Sequence, residues 1–337
     1  MARERRLAIT MGDPAGIGPE IIAKLFTHAP ANCIVYGDEQ CFKRVIERLN
    51  LKVPITVLTS ASDALPELGI PLIQACDPVT PELKLGTISS EAGKAAYQCV
   101  ERAITDALAG QVSGVVTAPL SKKAIELAGY DFPGHTEILA HRCGDVPVAM
   151  MLANDEIRTV LVTIHIPLSA VAHTITLALE TQAIELAHRG CVELGIAEPK
   201  IAVAGLNPHA SESGKFGDEE EHIIEPAIKA AKASGFNVSG PWPGDTIFGR
   251  ARQGEFDVVV AQYHDQGLIP VKYLGLDQGV NITIGLPFVR TSVDHGTAFD
   301  IAELGVASPA SLQQAVSMAR TLLANHQSAA SQLPINH

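Results

Sequence analysis

A chain of 337 residues that is 47% apolar but only 4% aromatic can bury one large or two medium aliphatic cores, the balance expected of proteins built on buried parallel strands. Its formal net charge of −12, from 25 Lys and Arg against 37 Asp and Glu, argues against nucleic acid or an anionic membrane as partner, and an anionic ligand must be held by a few local cations. No apolar stretch approaches the ~18 residues of a membrane span, and the opening Met1-Ala-Arg-Glu-Arg-Arg-Leu lacks a secretory core, so a cytoplasmic protein is expected.

Taken in order, the apolar patterning predicts a strand at Leu7–Met11, a helix at Pro19–Phe26, and strands at Cys33–Tyr36 and Ile55–Leu58. A helix at Ser89–Leu108 precedes strands at Gly114–Ala118, Val148–Leu152 and Thr159–His165. The pattern continues with helix Glu180–Leu194, strand Ile201–Gly205, helix Glu219–Ala233, strands Val258–Tyr263 and Val280–Gly285, and helix Pro309–Asn325. Pro19 suits a first helical turn and Ser89 an N-cap. Strand alternating with helix implies an α/β fold with a largely parallel sheet. Cys33, Cys41, Cys76, Cys99, Cys143 and Cys191 never approach CxxC spacing and read as reduced thiols.

Three histidines recur at one kind of place. His165, His209 and His264 each end or closely follow a strand-like run. Ligands of open α/β sheets collect beyond the carboxyl ends of strands, and three imidazoles there would suit a divalent ion with open positions for substrate. The turn Met11-Gly-Asp-Pro-Ala-Gly-Ile-Gly-Pro-Glu20 lies between a strand and a helix, where backbone amides favour an anion, but it is not the GxGxxG fingerprint. Pro133-Gly-His-Thr-Glu137 forms a polar cluster, and Lys272, Asn281 and Arg290 supply polar and cationic groups in a segment otherwise poor in cations. Asp245 and Asp265 could orient histidines or take an ammonium group. Gly296 and Thr297, in Ser292-Val-Asp-His-Gly-Thr-Ala-Phe-Asp-Ile-Ala302, would allow backbone contact with a nucleotide.

MGDPAGIGPE at 11–20, PGHTE at 133–137, GLNPHA at 205–210, YHDQGL at 263–268 and GVNITIGLPFVRTSVDHGTAFDIA at 279–302 together resemble the 4-hydroxythreonine-4-phosphate dehydrogenase family of pyridoxal-phosphate biosynthesis. That family is similar in fold to the isocitrate and isopropylmalate dehydrogenases. The resemblance implies two α/β/α lobes with mostly parallel strands and an active site in the interlobe cleft. The expected division is residues 1–115 with 245–337 on the nucleotide side, and 116–244 on the dimer and metal side.

The resemblance further implies a homodimer whose composite site binds one divalent metal ion (zinc, magnesium or cobalt) through His165, His209 and His264, the last from the neighbouring subunit. His135, Thr136, Lys272, Asn281 and Arg290 match substrate-binding positions, and Asp245 and Asp265 match acidic positions near the partner's site. Gly296, Thr297 and Asp300 fall in the loop expected to take NAD, or NADP. The implied reaction is oxidation and decarboxylation of 4-phosphohydroxy-L-threonine to 3-amino-2-oxopropyl phosphate, with Lys272 as proton shuttle. Ser211-Glu-Ser-Gly stands where the biosynthetic enzymes resemble Gly-Glu-Gly-Gly. Thr117–Lys122 and Thr163–Pro167 also look like paralogues that act on D-threonate or D-erythronate 4-phosphate, or on a cis-dihydrodiol carboxylate. A catalytically silent binding protein on the same fold is the reading of a different class; metal uptake without NAD reduction would favour it.

Overall fold

The computed structural model describes residues 5–28, 30–275 and 279–330, so Met1–Glu4 of the polar N-terminus lie outside the described residues. The chain forms two compact units, Met1–Val146 with Leu286–Leu323, and Pro147–Gly285 with Ala324–His337. The expected junctions were 115/116 and 244/245. Each unit is built on its own set of strands.

In the first unit β1 (Leu7–Thr10), β2 (Cys33–Gly37), β3 (Ile55–Leu58), β4 (Ile70–Gln74) and β5 (Gly114–Thr117) run parallel. The spatial order is β3-β4-β2-β1-β5, and Val289–Val293 follows alongside β5, also parallel. Leu7 sits in register with both Cys33 and Gly114, and β1, β2 and β5 are buried along their whole length. Aliphatic residues with no polar face are what a strand covered on both sides requires. Because β5 pairs with β1, the residues that follow it, including the helix His135–Arg142, stay with this unit. Ser89 caps the helix Ser90–Leu108 by accepting from the Ala92 N–H, and Pro19 opens the helix Gly18–Leu25, as the sequence predicts.

The second unit contains β6 (Ala149–Ala153), β7 (Arg158–Leu161), β8 (Ile201–Ala204), β9 (Val238–Trp242), β10 (Val258–Ala261) and β11 (Val280–Ile284). Their order is β11-β6-β7-β10-β8-β9, parallel except that β6 is antiparallel to both its neighbours. The first-unit strand Val289–Val293 is β12. Two strands end earlier than their apolar runs. β7 stops at Leu161 and β10 at Ala261, but Val162 and Thr163 still donate to the carbonyls of Ala261 and Gln262. Among the described residues, no helix is long and apolar enough to cross a membrane.

Helix Leu177–Glu193 carries an exception to its buried apolar face. Glu180 is fully buried, and neither carboxyl oxygen meets a donor in hydrogen-bond geometry. Burial pushes its pKa up to about 8, although the neighbouring Gln262 amide opposes the shift. The unfolded chain releases this proton near 4.5 and the folded chain near 8. Between those values the native state binds the extra proton, so stability falls as pH rises, by up to ~1.4 kcal/mol per pH unit. Glu180→Gln should therefore gain on wild type across that window, by roughly 2–4 kcal/mol at its upper end. Urea midpoints across the window check this; an offset independent of pH would refute it.

Candidate active site

In the first unit the Met11–Glu20 turn is locked by backbone contacts. Gly12 adopts φ +72°, and a Cβ there would lie 2.3 Å from the Pro119 carbonyl oxygen, so no other residue fits without moving β5's continuation. Gly16 abuts the Thr297 carbonyl, and Ile17 donates its N–H to that oxygen at 3.0 Å. The segment carrying Gly296, Thr297 and Asp300 is thus held against the turn through its main chain, with Gly296 and Asp300 exposed. Asp13 is fully buried; its Oδ1 accepts from Ala15 N–H, Oδ2 has no partner, and burial raises the carboxyl to about 6.

The same unit collects cations around an imidazole. Arg290, in β12, is 2% exposed and donates through Nη2 to Thr117 Oγ1 at 2.7 Å, at the end of β5. Burial lowers its pKa to about 10, with the Glu137 carboxylate opposing. His135 opens the helix His135–Arg142, with Thr136 next to it. Its Nε2 is buried without a hydrogen-bond partner, and burial together with Arg290 and Lys122 holds the ring neutral, well below its usual range. A buried guanidinium near an exposed ammonium and a neutral imidazole could take an anion with several oxygens. Lys122 and Thr117 are not singled out by the sequence as site residues; their position at and just beyond the carboxyl end of β5 is the available signal.

The second unit holds all three histidines. His264 is the first residue of helix His264–Tyr273, and its Nδ1 lies 2.7 Å from Asp265 Oδ1, leaving Nε2 for another ligand. The His165 and His264 ring centres are 5.9 Å apart in one chain. With ~2.1 Å from nitrogen to zinc, each ring centre sits ~3 Å from the ion, so this spacing admits one shared ion. His209 lines a cavity of about 540 Å³ with Asp245, Asp265, Tyr263 and Gln266. Among the described residues of one chain, no three His, Cys, Asp or Glu side chains converge as a complete metal site. Lys272 lies in the last turn of the helix that His264 begins, and Asn281, in β11, donates to Met150 Sδ. These two belong to the second unit, whereas His135, Thr136 and Arg290 belong to the first.

His209 is delivered by an unusual backbone. His209, Ala210, Ser211, Glu212 and Ser213 all have φ between 46° and 65°, a left-handed turn that costs L-residues ~1–2 kcal/mol each. It is held from behind by Glu220, 1% exposed, whose two oxygens accept from Asn207 N–H and Nδ2 at 2.7 and 2.9 Å. Glu220 begins a π-helical turn, Glu220–Ile224, that the sequence alone reads as ordinary helix. Strain sustained by surrounding bonds marks a place where position matters more than stability. Ser213→Gly should relieve it: stability is expected to rise by roughly 1 kcal/mol, read as a higher urea midpoint, and a fall would show that Ser213 makes an offsetting contact.

The family model for pyridoxal phosphate biosynthetic protein PdxA matches residues 29–319. A 4-hydroxythreonine-4-phosphate dehydrogenase from Beijerinckia indica is 54% identical over 318 residues, covering 94% of both chains. A D-threonate 4-phosphate dehydrogenase from Pectobacterium atrosepticum is 44% identical, covering 94% of this chain and 98% of its own. The crystal structure of a 4-hydroxythreonine-4-phosphate dehydrogenase from Klebsiella pneumoniae superposes with a TM-score of 0.86 at 40% identity, over 95% and 99% of the two chains. The chain therefore belongs to the family of the pyridoxal phosphate biosynthetic protein PdxA and is an oxidoreductase.

Proposed function

We propose that the protein is a cytoplasmic, NAD-dependent enzyme that uses a divalent metal ion to oxidise and decarboxylate 4-phosphohydroxy-L-threonine to 3-amino-2-oxopropyl phosphate. The observation that carries this reading is the buried Arg290 with exposed Lys122 and neutral His135 near it. Relatives named for both 4-hydroxythreonine and D-threonate 4-phosphate are phosphate-ester dehydrogenases by name, and the 54% identity of the former favours it as the lead. The second reading, D-threonate or D-erythronate 4-phosphate, is favoured by Ser211 and Ser213 in the His209 turn. The third, a cis-dihydrodiol carboxylate, needs no phosphate pocket.

His165, His209 and His264 are the proposed metal ligands. The paired imidazoles of one chain fit such an ion, and a second copy in a homodimer would complete the set. A bound ion supplies Lewis acidity toward the substrate hydroxyl and the carbonyl formed from it, and nicotinamide supplies a hydride acceptor. Asp265, through His264 Nδ1, fixes the tautomer that presents Nε2. Asp245, which lines the His209 cavity, takes the substrate ammonium. Arg290 and Lys122 take phosphate oxygens, His135 and Thr136 add hydrogen bonds, and Asn281 binds the substrate as well. Lys272 takes the hydroxyl proton at Nζ as hydride leaves the same carbon. After carbon dioxide departs, a proton returns to carbon, so the net change is NAD reduced and carbon dioxide released. Gly296, Thr297 and Asp300 would line the nucleotide (NAD, with NADP the other candidate).

The decisive assay is NADH production by metal-loaded protein on each of the three substrate types. Arg290→Ala should lower kcat/KM for the phosphorylated substrate by at least ~100-fold. A truncated substrate without phosphate should lose much less; equal losses would assign Arg290 to the carboxylate or the fold. The composite site has its own test. His209→Ala and His264→Ala proteins, each inactive alone, should regain roughly a quarter of wild-type activity once subunits exchange, since each heterodimer keeps one intact site. Verified exchange without recovery would place the whole ligand set in one chain.

A further inference from the structure

We infer that Gln262 is a positioning residue, one that sets the three histidine-bearing strand ends relative to one another; this rests on the metal reading above. Gln262 is fully buried just beyond the end of β10, two residues before His264. Its main-chain carbonyl accepts twice from Thr163, from N–H at 3.2 Å and from Oγ1 at 2.7 Å, two residues before His165 beyond β7. Its Nε2 donates to the Ala204 carbonyl at 2.9 Å, at the end of β8, the strand that leads to His209. Its own N–H donates to Gln266 Oε1 at 2.7 Å, and Gln266 Nε2 donates in turn to the Gly205 carbonyl at 2.7 Å. One residue, with Gln266 as its second arm, is therefore bonded to the segments that lead from β7 and β8 to His165 and His209, and itself leads to His264.

Packing alone does not explain an amide here. The amide neighbours the buried Glu180 carboxyl, its Oε1 has no hydrogen-bond partner, and the bond that fixes it is the one Nε2 donates to Ala204. What the amide adds is direction. The Ala204 carbonyl lies beyond the regular β8–β10 register, whose last pair is Val203 with Val260, and the Nε2 bond extends the ladder by one rung. An aliphatic residue would leave the 205–209 segment tied to β10 only through Gln266. Groups that orient metal ligands from behind commonly change metal affinity ~10–100-fold when removed.

The experiment titrates cobalt(II) into full-length, metal-free protein, following the cobalt absorption bands, and follows thermal unfolding in parallel. Gln262→Met, which keeps length and loses the donor, should bind cobalt at least ~10-fold more weakly. Asn154→Ala is the control for general destabilisation. Asn154 is a buried hydrogen-bonding hub of the same unit, away from these strand ends, accepting from Glu156 and Ile157 N–H and donating to Val271. It should lower the melting temperature and leave cobalt affinity at the wild-type value. Should Gln262→Met not fold, Gln266→Met removes the second arm alone and should weaken cobalt in the same direction by a smaller factor. Wild-type affinity in a folded Gln262→Met, or in Gln266→Met where that stands in for it, overturns the inference, as does an equal loss in Asn154→Ala. Wild-type protein that takes up no cobalt overturns the metal reading itself, and this inference with it.

Discussion

Strands that end inside a protein leave amides and carbonyls with no further strand to meet, and each must find a partner or cost free energy. In the second unit β7, β8 and β10 end side by side, and Gln262 and Gln266 answer the demand with main-chain and side-chain bonds. Everything placed beyond those ends inherits its position from that arrangement. His165 and His264 leave from adjacent strands, so their rings lie close, while His209 arrives through a left-handed turn clamped by Asn207 and Glu220. The same unit tolerates an unpaired, fully buried Glu180 close to Gln262. That carboxyl is held neutral by burial.

On the proposed reading the first unit meets a different demand, that of binding an anion with a protein of net charge −12. Long-range repulsion works against it, so the work falls to short-range bonds around the buried Arg290. Arg290 is enclosed, tied to Thr117, and left with a lowered pKa that still keeps it charged at neutral pH. Its neighbour His135 is driven neutral by burial and by the two cations. A protonated imidazole would add repulsion beside the two cations; a neutral one can hydrogen-bond without it. The turn around Gly12 and the loop around Thr297 lie in the same unit and are joined main chain to main chain.

Where sequence reading and structure part, the cause is tertiary. The strands β4, β9 and β12 were not predicted because Pro71, Pro241 and the polar run Arg290-Thr291-Ser292 break the aliphatic signal. β12 keeps those polar residues buried beside β5. The short helices Lys122–Leu127, His135–Arg142 and Ile247–Arg252 are too brief for periodicity to declare themselves. Likewise the expected run Thr159–His165 yields a strand only to Leu161, because beyond it the chain follows hydrogen bonds to Ala261 and Gln262 rather than extending the regular ladder.

The sequence by itself determined the α/β class, the family, and most long elements, since buried parallel strands and capped helices write their burial directly into apolar spacing and cap residues. It also marked His165, His209 and His264 as one kind of residue, because each follows a strand end. Only the tertiary structure decided that His165 and His264 are neighbours in one chain, that Lys122 and Thr117 join Arg290, and that Gln262 bonds to the segments at the ends of β7 and β8. Those facts depend on strand order and on which side chains lose water together, and neither is a property of any local stretch of residues. The order β7-β10-β8 brings segments some forty to a hundred residues apart within one hydrogen bond of each other. No periodicity along the chain could have announced it.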